Sequence, residues 1–125
     1  CLHRSVVASL FAFAAACGAS RVPATLRGYD VLVSGQDSQT VALAQALKSA
    51  GYHVRDRVKG GSRPTAAVIH FMFREPGPDQ LTWFHLRLAD TRSGAVVGTA
   101  TIPLDSATNT SRARAEAAVL ALSAP

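Results

Sequence analysis

The chain is poor in acid, in aromatic rings and in cysteine. Of its 125 residues 8 are Asp or Glu against 13 Lys or Arg, giving a formal charge of +5, and it holds two cysteines, one methionine and one tryptophan. With so few carboxylates, and with Asp79 and Asp105 in turn-like settings, a pair of general acid and base groups is hard to assemble. No Gly-x-Ser-x-Gly, His-Glu-x-x-His, Cys-x-x-Cys or phosphate loop occurs. The sequence therefore predicts no enzyme, no catalytic residue and no cofactor. Zinc takes three or four ligands, and spacing supplies no third ligand beside His70 and His85, so no metal is expected either. His53 stands alone in its alternation and reads as a solvated strand residue. Internal repeats and low-complexity tracts are missing as well, and one domain with one core fits this length.

Also lacking is an apolar run of the roughly 20 residues that a membrane-spanning helix needs. What the chain has is shorter. Arg4 is followed by the uncharged stretch from Val6 to Ala16, and Gly18, Ser20 and Arg21 then break it. Residues 1–16 read as an export signal peptide. The sequence Ala14-Ala15-Ala16-Cys17, followed by Gly18-Ala19-Ser20, resembles the lipobox of bacterial lipoproteins. That resemblance implies a lipid anchor on Cys17 and an outer-membrane lipoprotein of the cell envelope facing the periplasm. Ala14 stands where the lipobox usually has Leu, which leaves a cut by the general signal peptidase as the alternative. An acylated Cys17 has no thiol left to pair, so no disulfide framework is expected despite the oxidising compartment.

Residues 17–25, small and marked by Pro23, read as a short lipidated tether, with a single domain over 26–125. Loss of Arg4 with the leader leaves 12 basic against 8 acidic residues. In a cytoplasmic chain such an excess would suggest nucleic acid. Export removes that partner and turns the charge toward anionic lipid headgroups, glycolipid phosphates or acidic cell-wall polymer, with plain solubility as the alternative.

Within the domain, Tyr29 to Val33 forms a β-branched run closed by Gly35, a first strand. Asp37 or Ser38 caps a helix in which Val41, Ala44, Leu47 and Lys48 recur, and Gly51 ends it. Tyr52 to Lys59 alternates as a second strand, stopped by Gly60-Gly61-Ser62. Thr65 to Glu75 and Leu81 to Thr91 flank Pro76-Gly77-Pro78-Asp79 as a hairpin, and Ala95 to Ile102 follows as a fifth strand. Ser111 to Ser123 closes the chain as a helix with Ala115, Val119 and Leu122 on one face. The order β-α-β-β-β-β-α predicts an α+β fold, a mostly antiparallel sheet of about five strands with two helices on one face.

Alternation on the hairpin separates two sets of side chains. Ile69, Phe71, Phe73, Phe84, Leu86 and Leu88 are assigned to the helix side. His70, Met72, Arg74, Trp83, His85 and Arg87 are assigned to the other, a composition typical of binding surfaces. If Arg74 and Leu81 close the hairpin, Met72 lies opposite Trp83 and His70 opposite His85. Paired histidines would repel when protonated. The tether or the C-terminal segment is the alternative use of that face, as a simple cover.

The helix running into Gly51-Tyr52-His53-Val54-Arg55-Asp56-Arg57, together with Leu86-Arg87-Leu88-Ala89-Asp90-Thr91-Arg92-Ser93-Gly94-Ala95-Val96-Val97, resembles small envelope lipoproteins whose domain is similar to the amino-terminal domain of TolB. The order of elements also resembles the lipoprotein plug of the lipopolysaccharide translocon. Neither group is enzymatic. The resemblance implies a scaffold or assembly module that is held on the membrane by its lipid and docks on an envelope protein or an anionic glycolipid. A ligand-binding lipoprotein is the rival reading, and it would require a deep pocket lined by convergent polar groups.

Overall fold

The structure is a computed structural model that describes residues 22–58, 63–78 and 80–125. Its elements are β1 (Asp30–Leu32), α1 (Ser38–Ala50), β2 (His53–Arg55), β3 (Thr65–Arg74), β4 (Thr82–Asp90), β5 (Val96–Pro103) and α2 (Ser111–Ala121), with short 3-10 turns at Ala24–Leu26 and Ser106–Thr108. This is the α+β order read from the sequence. The residues read from the sequence as a leader, Cys17, the start of the segment read as a tether, Lys59 to Ser62 and Asp79 lie outside the described residues. Among the described residues no helix is long and apolar enough to cross a membrane.

The strands form one five-stranded sheet in the order β2-β1-β3-β4-β5. Its long ladders, β3 with β4 and β4 with β5, are antiparallel. The short strand β1 is parallel to both of its neighbours. A β1-α1-β2 unit explains this: the helix carries the chain back, so β2 starts at the same end as β1.

Both helices pack on one face of this sheet. α1 starts where the Asp37 side chain accepts from the Thr40 amide, and it ends at Gly51 with φ 104°, a left-handed position that favours glycine. Its buried stripe is Thr40, Leu43 and Leu47, while Val41 points to solvent. α2 is capped by Thr110 and buries Ala115, Ala118 and Val119. Arg114 ties the helices together, donating from Nη1 to Gln39 Oε1 at 3.0 Å. Phe84, Leu86 and Leu88 of β4 face the helices and are fully buried. Burying each such side chain contributes about 1.5–3 kcal/mol. Leu26 packs close to where a Cβ on Gly98 would stand, so that glycine lets the 3-10 turn approach β5. Val22, assigned to the tether from the sequence, is buried with the core, so the folded unit begins at or before it.

The hairpin register differs from the sequence reading by one residue. Phe73 pairs with Trp83, Met72 with Phe84, Phe71 with His85 and His70 with Leu86. The turn closes with Glu75 N–H donating to Leu81 O at 2.8 Å, leaving residues 76–80 as the loop, where Gly77 and Gln80 have positive φ. The correction has a physical cause at the other end of β3. Ala66 pairs with Val31, and both are fully buried under the helices. Alternation from Ala66 then puts Val68, His70 and Met72 on the helix side. Ile69, Phe71 and Phe73 therefore point away from the helices, beside Arg87, His85 and Trp83. His70 and His85 are not paired; they lie on opposite faces.

Candidate functional site

Among the described residues, nothing covers the sheet face opposite the helices. Along β3 runs an apolar stripe: Ile69 is 46% exposed, Phe71 41% and Phe73 41%. Aromatic rings link it into one patch. Phe71 lies 6.2 Å from Phe73 and 5.0 Å from the His85 ring, centroid to centroid. Trp83 stands beside Phe73, and its Nε1–H donates to Glu75 Oε1 at 2.7 Å, which fixes the indole on the face.

The six residues singled out from the sequence divide between the two faces. Trp83, His85 and Arg87 share the open face with the β3 stripe. His70, Met72 and Arg74 project to the helix side. There His70 stacks 5.8 Å from Phe84, and its Nε2 lies 3.1 Å from Thr40 Oγ1. The Thr40 hydroxyl donates to Asp37 Oδ1 at 2.6 Å, so its oxygen must accept from His70 Nε2–H. This chain closes the start of α1 against β3. The Thr40 hydrogen bonds hold the Asp37 carboxyl below the usual carboxylate range, with a smaller contribution from His70.

The residues missed were Ile69, Phe71 and Phe73. The signal that places them lies at the start of β3, where Ala66 pairs with Val31 under the helices and sets the phase of the strand.

Two polar atoms of the open face lack partners among the described residues. His85 Nδ1 lies 2.8 Å from Thr101 Oγ1, but His85 Nε2 and Arg87 Nε are buried with no partner among the described residues. Burial, and then the neighbouring Arg87 charge, push the His85 imidazole below its ordinary pKa. At the far corner of the face, Asp30 is clasped by Arg55 Nε at 2.8 Å and Arg63 Nε at 2.9 Å. The Arg55 hydrogen bond above all holds its carboxyl below the usual range, against burial. That cluster ties β2, β1 and the start of β3 and occupies the Asp30 carboxylate.

Among the described residues no three His, Cys, Asp or Glu side chains gather as a metal site. A depression between α1 and β2, lined by Val33, Ala44, Lys48, Val54, Arg55 and Asp56, holds about 280 Å³. Ligand pockets usually measure about 300–1,000 Å³ and are lined mostly by apolar groups. Compared with known families, curated proteins and solved structures, the chain matched none.

Proposed function

We propose that this chain is a non-enzymatic docking module of the bacterial cell envelope, held on the outer membrane by an acyl group on Cys17 and engaging another envelope protein through its open sheet face. The observation that carries this reading is the exposed stripe of Ile69, Phe71 and Phe73 flanked by Trp83, His85 and Arg87. Contiguous exposed apolar surface with aromatic and arginine side chains is typical of protein interfaces and costly to leave in water. A protein partner accounts for the aromatic stripe better than an anionic glycolipid does, because the stripe presents rings rather than a basic cluster. A small-ligand reading would draw on the depression beside α1.

The docking reading is tested by affinity capture of the tagged lipoprotein from native membranes. Phe71→Ser and Trp83→Ser should lose the co-purifying envelope protein, whereas Leu120→Ser, on exposed α2, should retain it. Retention by all three variants would remove the open face from the account. The anchor is tested separately by metabolic labelling with a tagged fatty acid. Label should enter the wild type and not Cys17→Ser; equal labelling contradicts the anchor.

A further inference from the structure

β3 runs over ten residues, but β1 pairs only with Thr65, Ala66 and Ala67. On its other side β3 is paired with β4 along Ala66 to Arg74. Two bonds fix the phase of that ladder: Thr91 N–H to Thr65 O and Glu75 N–H to Leu81 O. Odd-numbered residues of β3 therefore exchange main-chain hydrogen bonds with β4, and even-numbered residues direct theirs to the opposite side. Beyond β1, the N–H and C=O groups of His70, Met72 and Arg74 point at an edge that no described strand occupies.

The remaining edges of the sheet are managed. Ser123 exchanges bonds of 2.9 and 3.0 Å with Thr99 along β5, and β2 is only three residues long. Proteins usually blunt a free edge with charge, proline, a bulge or a cover. Between Ile69 and Phe73 the β3 edge reads Ile-His-Phe-Met-Phe, with Ile69, Phe71, Met72 and Phe73 all exposed.

Charge selects the occupant. Among the described residues, the carboxylates around this edge are engaged, Asp37 by Thr40 and Glu75 by Trp83. Arg74, at the end of the edge, makes no ion pair among the described residues. His70 shares the edge. A second copy of this chain would bring the same cations to it, and an acidic strand would bring what is missing. Resting on the docking reading above, we propose that the partner supplies an extended acidic segment that adds as a strand along His70 to Arg74. Its apolar side chains lie on Ile69, Phe71 and Phe73, and its carboxylates, on the other face of the added strand, answer Arg74. Main-chain bonds give such an added strand its affinity, and the alternate side chains give it specificity.

The probe is a short peptide alternating valine and glutamate, added to the isotope-labelled full chain and followed by amide hydrogen exchange. Exchange at His70, Met72 and Arg74 should slow at least about tenfold, while Ile69, Phe71 and Phe73, already bonded to β4, keep their rates. A valine-lysine peptide should bind at least about tenfold more weakly, with a gap that narrows as salt rises. Met72→Pro removes an edge donor without removing a bond to β4, so it should weaken peptide binding at least about tenfold in a chain that circular dichroism shows to be folded. No binding of the glutamate peptide, equal binding of the lysine peptide, or a dimer of the chain that Met72→Pro disperses would each overturn the proposal. If membrane capture is lost in Phe71→Ser but kept in Met72→Pro, the face docks its partner and strand addition alone fails. Capture kept in both variants overturns the docking reading as well.

Discussion

The two faces of this sheet are built from the same strands and do opposite things. On the helix face, Val31, Ala66, Phe84, Leu86 and Leu88 are fully buried and interdigitate with Leu43, Leu47, Ala115 and Ala118. On the open face, Ile69, Phe71 and Phe73 are as apolar as anything in the core, yet they remain around half exposed. Composition alone does not separate core from interface; phase along the strand does. The helix face buries the side chains that meet α1 and α2, whereas the open face leaves apolar side chains exposed beside two buried nitrogens, His85 Nε2 and Arg87 Nε, without a hydrogen-bond partner among the described residues.

That contrast breaks most sharply under substitution. Leu86→Ala, on the helix face, should destabilise by about 2–5 kcal/mol through lost burial and a residual cavity. The midpoint of thermal unfolding should then fall by roughly 10 °C or more. Gly51→Val, which forces a β-branched residue into a left-handed position at the end of α1, should cost on the order of 1 kcal/mol or more and several degrees. Phe71→Ser, on the open face, should change stability by less than about 1 kcal/mol while abolishing partner capture. A loss from Phe71→Ser as large as that from Leu86→Ala would erase the distinction between the faces.

The smallest effect is set by pH and belongs to the open face. The His85 imidazole has its pKa lowered from 6.5 in the folded chain. Its contribution to stability is complete above the unfolded value and is lost as pH falls from there toward the folded one, because the unfolded chain takes up the proton first. His85→Gln should flatten the pH dependence of the unfolding midpoint below 6.5, and an unchanged slope would mean that the ring is solvated. A carboxylate-bearing partner seated beside Arg87 would raise the folded pKa and shrink the same slope.

Much of this was legible in the sequence because it depends on local chemistry. Asp37 bounds α1 with its side-chain cap and Gly51 with its left-handed backbone, and the α2 stripe of Ala115, Val119 and Leu122 is buried as its spacing says. The strand count and the element order follow from alternation and turn residues. The parallel direction of β1 was less visible, since three-residue strands carry too little pattern to state their neighbours. The face of Ile69, Phe71 and Phe73 was misread for a different reason. Apolar residues on both phases of β3 make either register plausible locally, and the decision is made far away, where Ala66 meets Val31 under the helices. For the site, Trp83, His85 and Arg87 were legible from β4, whose alternation is clean, and the β3 half was not.

The central claim is that the Phe71 side of the sheet is where a partner sits. A photo-crosslinking residue placed at Phe71 in this chain, with a second chain carrying it at Leu120 on the exposed side of α2, tests it in the proposed membrane setting. Irradiation should join position 71 to one discrete envelope protein and leave position 120 without a product of that size. The same product from both positions, or from position 120 alone, would contradict the account.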